Sequence, residues 1–219
     1  MGKLETPRAI LEEAQAIVKG HFVLKSGNHS SHYINKDAVY TDPHTVSNLG
    51  MDMGQPFTDF IRKERGLPNI DVVIGPAIGG VVLAHCVGKH IAYDRKGTLR
   101  TIFADKDGDG FVIKRGYDKF VTDKHVLVVE DILTTGSSVK ATVEAIRRVG
   151  GIVEGVAAIC NRGNVTAEQL TVPQLVSLLV LEMHSWMPEN CALCVQGVPI
   201  NTDLGHGAAY VAKHGQPAG

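Results

Sequence analysis

The sequence has few cysteines, almost no net charge and no long apolar run, and each shortage excludes a class of protein. Four cysteines in 219 residues are too few for a disulfide-stabilised scaffold. A formal net charge of −1 gives no general attraction to nucleic acid or to an anionic membrane surface. No apolar stretch approaches the roughly 18 residues of a membrane-spanning helix, and the N-terminus lacks the apolar core of a signal peptide. We therefore expect a cytoplasmic protein that binds neither nucleic acid nor membranes.

What the sequence does contain is an alternation of short apolar runs and helical patterns. Hydrophobic residues make up 44% of the chain, enough to bury a substantial core in one domain over residues 1–219. The alternation favours an α/β fold with a mainly parallel central sheet and helices on both faces. The predicted strands are 22–24, 33–35, 71–75, 91–93, 126–129 and 153–160, the predicted helices are 6–20, 42–66, 79–89 and 137–149, and a projecting hairpin is predicted from 100–104 and 111–115.

The most informative segment is 126–138, VLVVEDILTTGSS. Its four leading apolar residues are typical of a strand covered on both faces in a parallel sheet. Glu130 and Asp131 follow, and open α/β sheets bind ligands at that end of their strands. Beyond a loop of hydroxyl residues, Ser137 or Ser138 is predicted to cap a helix whose unpaired amides point at the loop. The segment predicts a phosphate site beside two acids, whose own partners are sugar hydroxyls or a metal-bound water.

A second loop, in residues 71–80 (DVVIGPAIGG), repeats this logic after another apolar strand. Small residues there let backbone amides approach an anionic group closely. Such a pattern is common in ordinary turns, but beside the first motif it indicates a second phosphate-binding loop. The loop residues are Pro76, Ala77, Ile78, Gly79 and Gly80.

A ligand with a phosphate at one end and a ribose diol at the other fits these loops, and segment 126–138 resembles the phosphoribosyl pyrophosphate motif of type I phosphoribosyltransferases. Over most of the chain the resemblance is closest to the orotate phosphoribosyltransferase family. In that family the second loop often has a strained peptide bond, which we look for at Ala77–Ile78. The contacts implied for phosphoribosyl pyrophosphate are Lys25, Pro76, Ala77, Ile78, Gly79, Lys106, Glu130, Asp131, Ile132, Leu133, Thr134, Thr135, Gly136, Ser137 and Ser138.

The resemblance also implies a base site. The segment FVLKSGNHSSHYIN resembles part of the family's N-terminal hood over the base, which implies a hood at residues 1–40, and residues 183–219 resemble the C-terminal extension of one bacterial branch. Arg162 matches the arginine that pairs with the orotate carboxylate, and a guanidinium suits that group because it can form two parallel hydrogen bonds. The implied orotate contacts are Lys25, Tyr33, Ile34, Thr134 and Arg162.

The implied reaction joins orotate to phosphoribosyl pyrophosphate and releases orotidine 5'-monophosphate and pyrophosphate, a step of pyrimidine synthesis. Magnesium is implied as the cofactor, held through substrate oxygens and water rather than by direct side-chain ligation. Glu130 and Asp131 would face the charge that develops at the anomeric carbon. A mobile arm of residues 100–116 would close with Lys106, in its turn, against the leaving pyrophosphate. These three residues are the implied catalytic ones, and the family implies a homodimer in which each arm reaches the neighbouring site.

Two departures from the family pattern leave alternatives open. Many members have an aromatic residue and a lysine where this chain has Ile78 and Gly79, and their longer arm has further lysines and a histidine. A transferase for another base, purine or pyrimidine, is one alternative, although Arg162 and Lys25 suit an anionic base. A non-catalytic sensor of phosphoribosyl pyrophosphate is another, but such sensors usually carry a basic surface or a nucleic-acid domain, and this chain shows neither.

Cys191 and Cys194 form a CxxC pair with His184 and His206 nearby, which invites a zinc proposal. A second CxxC is missing and those histidines are irregularly spaced, so unligated thiols are our default interpretation. His29 is assigned to a polar loop. Whether the cysteine pair binds a metal stays open at this level.

Overall fold

The computed structural model describes residues 6–93, 97–181 and 183–217, so the extreme ends of the predicted segments 1–40 and 183–219 lie outside the described residues. Among the described helices, none is long and apolar enough to cross a lipid bilayer. The chain divides into two compact units. The first unit combines both chain ends, up to Asp42 and from residue 183 onward, and the second unit is Pro43–Leu181. The expectation of a single domain over residues 1–219 stays a prediction.

The helices and strands of the described chain follow an order close to the predicted alternation. Two short 3-10 helices, Gln55–Phe57 and Pro188–Asn190, lie between longer elements. In chain order the other elements are α1 (Pro7–Glu13), β1 (Ile17–Val23), β2 (His29–Ile34), α2 (Lys36–Thr41), α3 (Pro43–Gly54), α4 (Asp59–Glu64), β3 (Val72–Pro76), α5 (Gly79–Tyr93), β4 (Arg100–Asp107), β5 (Gly110–Val112), α6 (Asp118–Val121), β6 (His125–Leu133), α7 (Ser137–Arg148), β7 (Ile152–Asn161), α8 (Ala167–Leu170), β8 (Leu175–Val180), β9 (Ser185–Trp186), α9 (Ala192–Val195) and α10 (Gly207–His214).

The second unit is built on a six-stranded sheet with the order β5-β4-β3-β6-β7-β8. Its strand pairs are parallel except for the antiparallel pair of β4 and β5. In β6, Val126 and Val128 pack in a core cluster with residues of α7. The alternate residues Leu127 and Val129 are equally buried and point to the opposite face, where α5 contacts the same strand. The predicted α/β fold, with a mainly parallel sheet between helices, is confirmed.

The first unit contains a three-stranded antiparallel sheet with the order β1-β2-β9. The predicted helix over residues 6–20 is wrong in its second half, because α1 ends at Glu13 and Gln15 takes a left-handed conformation with φ 53°. Ile17 then enters β1, where it pairs with Ile34 of β2. β-branched residues fit a pleated, half-buried surface, so the sheet partner overrides the local helical spacing.

Two further predictions in the second unit are wrong. The predicted strand 91–93 is the last turn of α5, where Ile91 continues the helical spacing of the buried residues Leu83 and Val87. A three-residue apolar run does not distinguish a strand from the end of a buried helix. Residues 100–104, predicted as the first strand of the projecting hairpin, belong to the part of β4 that pairs with β3 in parallel, and the hairpin pairs only Asp105–Asp107 with Gly110–Val112. Strand β8, at the edge of the sheet, was not predicted.

Candidate functional site

The two acids of the first motif lie within β6 rather than beyond its end. The strand continues to Leu133, and Glu130 and Ile132 pair with residues of β7. Glu130 is 8% exposed and Asp131 is 5% exposed. The backbone N–H of Asp131 donates to Glu130 Oε1 at 3.1 Å, and that of Ile132 donates to Asp131 Oδ1 at 2.7 Å. The predicted strand 126–129 is too short because the backbone ladder continues past the first polar side chain, and the buried acids are held by local hydrogen bonds.

Gly136 shapes the turn between β6 and α7. It is the N-cap residue of α7, with φ 74°, and the first amide of the helix, that of Ser137, donates to Thr135 Oγ1 at 3.4 Å, so the predicted cap by Ser137 or Ser138 is wrong. A Cβ on Gly136 would lie 2.9 Å from a Leu170 side-chain carbon and 3.0 Å from one of Val165. The left-handed conformation favours glycine here, and a larger residue would also displace these two side chains.

A small cavity of about 180 Å³ lies at this turn. The hydroxyl of Thr135 donates to Ser137 Oγ at 3.0 Å, so the wall of the cavity carries ordered hydroxyl groups. The first amides of α7 have no partner within the helix, and such amides together with the helix dipole favour an anion. The cavity therefore suits a phosphate monoester. The residues that line it are Glu130, Ile132, Leu133, Thr134, Thr135, Gly136, Ser137, Ser138 and Val139.

The second predicted loop lies between β3 and α5, whose backbones touch directly. A Cβ on Gly75 would lie 2.3 Å from the carbonyl oxygen of Gly80. The Ala77–Ile78 peptide bond, which was singled out from the sequence, is cis, and the Ile78 side chain is 88% exposed. The N–H of Ala77 donates to the carbonyl of Ala104 in β4 at 2.9 Å. Because β3 and β6 are parallel neighbours, this loop and the acid pair share one edge of the sheet.

Arg162 follows β7 and is tied to the hydroxyl loop. Its backbone N–H donates to the Leu133 carbonyl at 2.9 Å, and its Nε donates to Thr134 Oγ1 at 3.0 Å. No other hydrogen bond joins its guanidinium to the described residues. A guanidinium oriented through Nε presents its two terminal nitrogens to a planar carboxylate. The structure thus brings together two residues that were predicted to contact the base.

Two residues that shape this corner were not predicted. Asn161 is buried, and its side-chain amide donates to the Val165 carbonyl at 2.8 Å while its Oδ1 accepts from the Val165 N–H at 3.0 Å. A Cβ on Gly163 would lie only 1.5 Å from the carbonyl oxygen of Thr134. The Asn-Arg-Gly sequence directly after an apolar strand was a usable signal, because Asn braces turns and Gly permits close backbone approach.

Lys106 lies in strand β4 rather than in the turn of the hairpin. It pairs with Phe111 of β5, and Gly108, with φ 59°, lies in the turn. Its side chain is exposed. Beside it, Arg115 donates hydrogen bonds of 3.1 and 3.0 Å to Asp105, and these bonds lower the pKa of that carboxyl below its ordinary value. The hairpin continues from the carboxyl end of β4, at the sheet edge that holds both loops.

The remaining predicted contacts lie in the first unit. Lys25 is exposed in the turn between β1 and β2. The ring centroid of Tyr33 lies 5.4 Å from that of Phe22. The Ile34 side chain is only 8% exposed, so it belongs to the core of this unit. The role of these three residues toward a base stays a prediction.

The sequence and the fold are similar to those of known proteins. The model of the family described as Phosphoribosyl transferase domain matches residues 57–180. The orotate phosphoribosyltransferase of Caldanaerobacter subterraneus subsp. tengcongensis is 35% identical over 191 residues, which cover 87% of this chain and 92% of the relative. That of Thermotoga maritima is 33% identical over 192 residues, which cover 88% of this chain and 94% of the relative.

Solved structures agree with this similarity. The crystal structure of orotate phosphoribosyltransferase from Aeropyrum pernix matches with a TM-score of 0.60 and 25% identity, over 79% of this chain and 92% of that one. A Mycobacterium tuberculosis orotate phosphoribosyltransferase in complex with inorganic phosphate matches with a TM-score of 0.55 and 24% identity, over 80% of this chain and 95% of that one. The second match supports the fold alone.

Proposed function

Since the chain belongs to the orotate phosphoribosyltransferase family, we propose that it transfers the phosphoribosyl group of phosphoribosyl pyrophosphate to orotate, with orotidine 5'-monophosphate and pyrophosphate as products. One observation carries the proposal. In the second unit, Glu130 of the buried acid pair and Thr134 line the same cavity, and Arg162 donates a hydrogen bond to Thr134. A sugar phosphate needs the cavity and the acids, and a planar anionic base needs the arginine.

The phosphoribosyl end of the substrate occupies the cavity at the start of α7. Its 5'-phosphate accepts hydrogen bonds from the first amides of the helix and from the hydroxyl of Ser137, which itself accepts a hydrogen bond from Thr135. Glu130 and Asp131 would repel that phosphate, so they face the ribose hydroxyls instead. Because both carboxylates are buried and held by neighbouring backbone N–H groups, they are oriented before the sugar binds.

The pyrophosphate end lies against the loop of Ala77, Ile78 and Gly79. The close contact of Gly75 with Gly80 draws the two ends of this loop together, and the amides of Ile78 and Gly79 are the proposed donors to the anion, since the amide of Ala77 donates to Ala104. Magnesium, held through substrate oxygens and water, would neutralise charge on the leaving pyrophosphate. Glu130 and Asp131 fit such an ion because their carboxylates would accept hydrogen bonds from its bound water.

Bond breaking at the anomeric carbon creates positive character on the sugar, and Glu130 and Asp131 are favourably signed neighbours of that charge. Lys106 meets the growing negative charge on the pyrophosphate when the hairpin closes, which lowers the barrier electrostatically. No nucleophilic side chain is required. We expect a homodimer, in keeping with the family, and light scattering of the purified protein measures its mass.

Arg162 selects the base. Its Nε is engaged by Thr134, so its terminal nitrogens are oriented to form two parallel hydrogen bonds with the carboxylate of orotate. Uracil and adenine have no carboxylate and would leave this cation unpaired. The arginine therefore favours orotate over neutral bases.

A spectrophotometric assay of the purified protein with phosphoribosyl pyrophosphate tests the proposal. Orotate, uracil, adenine and xanthine are offered in turn, and we expect turnover with orotate alone. Omission of magnesium, without added chelator, is expected to abolish it. Turnover with a purine but not with orotate would contradict the assignment of the base. Calorimetry that detects no binding of phosphoribosyl pyrophosphate in the presence of magnesium would contradict the reaction class.

A further inference from the structure

Four side chains of the types that bind transition metals meet inside the first unit. They are His21 in β1, His29 in β2, Cys191 directly before α9 and Cys194 within α9. Each offers one ligand atom, and the four atoms all lie within 4.8 Å of one another. The two histidines and Cys191 are buried, and Cys194 is half-buried. None of these residues takes part in the proposed transfer reaction.

Three nitrogen–sulfur distances within the cluster match a tetrahedral site. His21 Nε2 lies 3.5 Å from Cys191 Sγ and 3.8 Å from Cys194 Sγ, and His29 Nδ1 lies 3.3 Å from Cys194 Sγ. Zinc bonds of about 2.0 Å to nitrogen and about 2.3 Å to sulfur place nitrogen and sulfur ligands about 3.6 Å apart. The observed distances bracket that value. The two ring nitrogens are 2.8 Å apart, which is shorter than the separation of about 3.4 Å in a tetrahedron.

An outer hydrogen bond orients the first histidine. His21 Nδ1 lies 2.7 Å from the carbonyl oxygen of Val198. A carbonyl can only accept, so Nδ1 carries the proton and Nε2 presents its lone pair to the other three side chains. Histidines that bind metals almost always donate their second ring N–H in this way, which fixes the tautomer and the ring orientation.

A hydrogen bond between the two rings without a metal accounts for the cluster less well. His29 would then have to donate from Nδ1 to His21 Nε2, and its own Nε2 would be a bare acceptor. That atom is buried and has no hydrogen-bond partner among the described residues. With a metal on Nδ1, Nε2 becomes an N–H, and the neighbouring ring of Tyr210, nearly perpendicular to that of His29 with the two centroids 4.8 Å apart, offers an aromatic face of the kind that accepts weakly from an N–H. A metal would also account for the two cysteines, which would bind it as thiolates.

We propose that His21, His29, Cys191 and Cys194 bind one structural zinc ion. Two imidazole nitrogens and two thiolates in a tetrahedral arrangement are a ligand set that zinc prefers. Because all four positions are filled by the protein, no position remains for a catalytic water. The ion is structural for this reason.

The ion would hold the two ends of the chain together within the first unit. His29 and Cys194 are 165 positions apart in sequence, so a bond through the metal closes a very long loop and restricts the unfolded chain. His21 and His29 also flank the turn that contains Lys25, so the same ion fixes the base of that turn. This role is independent of the proposed transfer reaction.

The sequence pointed to the wrong histidines for this site. His184 and His206, which lie near the CxxC pair in sequence, are both exposed. His29, assigned to a polar loop, is 0% exposed and begins strand β2. The antiparallel pairing of β1 and β2 places His21 and His29 on neighbouring strands, and only the fold brings them to the cysteines.

The test is the metal content of the untagged, full-length protein, purified without chelator from zinc-supplemented cells and measured by elemental mass spectrometry. We expect about one zinc per chain. Cys191→Ser, Cys194→Ser and His29→Asn are each expected to lose the ion and to lower the Tm. Cys86→Ser and His184→Asn are matched controls outside the cluster and are expected to retain it. Cobalt exchanged into the wild-type site should show the visible bands of a tetrahedral thiolate complex.

The metal content of the wild-type protein does not depend on whether any variant folds. Less than about 0.1 zinc per wild-type chain would overturn the proposal, and so would full occupancy by a different metal. Retention of zinc by the double variant C191S/C194S would also overturn it. Orotate turnover decides none of these outcomes, so the proposed function and the zinc site can fail separately.

Discussion

Replacement of Arg162 with alanine is expected to weaken orotate binding far more than phosphoribosyl pyrophosphate binding. The guanidinium would donate two charge-assisted hydrogen bonds to the orotate carboxylate, and each contributes about 1.5–3 kcal/mol. Because Arg162 is only half-buried, we take the lower value, about 3 kcal/mol for the pair. That free energy corresponds to a rise on the order of 100-fold in the KM for orotate.

The same variant also removes the 3.0 Å hydrogen bond from Arg162 Nε to Thr134 Oγ1. Thr134 lines the phosphate cavity, so a smaller effect on phosphoribosyl pyrophosphate is expected. This bond has a charged donor but is exposed, so we take a contribution of about 1 kcal/mol, which corresponds to about a fivefold rise in KM. The ratio between the two KM effects is therefore the quantity that tests the role of the arginine.

Initial rates, followed through the ultraviolet absorbance of orotate, measure both KM values when each substrate is varied in turn. Arg147→Ala is the matched control, because Arg147 lies in the same unit and donates to Thr171 at 2.8 Å, away from both loops. The preference for orotate over uracil should decrease in Arg162→Ala, because only orotate has a carboxylate that pairs with the arginine. Equal rises in the two KM values, or an unchanged KM for orotate, would refute the reasoning.

Three further outcomes are expected. Lys106→Ala should lower kcat by about 10²–10³ with little change in substrate binding, which is the scale of one lost transition-state contact. Lys119→Ala, at another exposed lysine, should leave kcat unchanged, and unchanged turnover of Lys106→Ala would remove Lys106 from the mechanism. Glu154→Ala should lower the free energy of unfolding by about 3 kcal/mol, because the fully buried Arg62 loses its carboxylate partner at 2.7 Å. Urea denaturation measures this free energy, and a decrease below about 1 kcal/mol would contradict the prediction. Burial raises the pKa of the Cys160 thiol to about 11, so alkylation of the native protein below about pH 9 should leave this thiol unmodified. Rapid modification of Cys160, detected by mass spectrometry, would contradict its burial.

The two candidate phosphate-binding loops could be located because their residue patterns are local. Residues 126–138 contain the strand, the acids, the hydroxyls and the helix start within one short stretch, so spacing alone orders them along a sheet edge. The strained bond at Ala77–Ile78, which is cis, was located instead through the family resemblance of the second loop. Element boundaries were less predictable. Strand β6 runs four residues past Val129 because β7 supplies hydrogen-bond partners that local sequence does not reveal.

The sequence by itself determined the fold class and the family. Alternating apolar runs and contiguous motifs can be identified from the sequence without knowing which residues contact them in the folded protein. Only the tertiary structure decided which distant residues meet. The bond of Arg162 to Thr134 depends on the pairing of β6 with β7, and the contact of His21 with Cys194 depends on the packing of the two chain ends in one unit. Such contacts arise from burial and strand pairing across long separations, and no local pattern of residues encodes them.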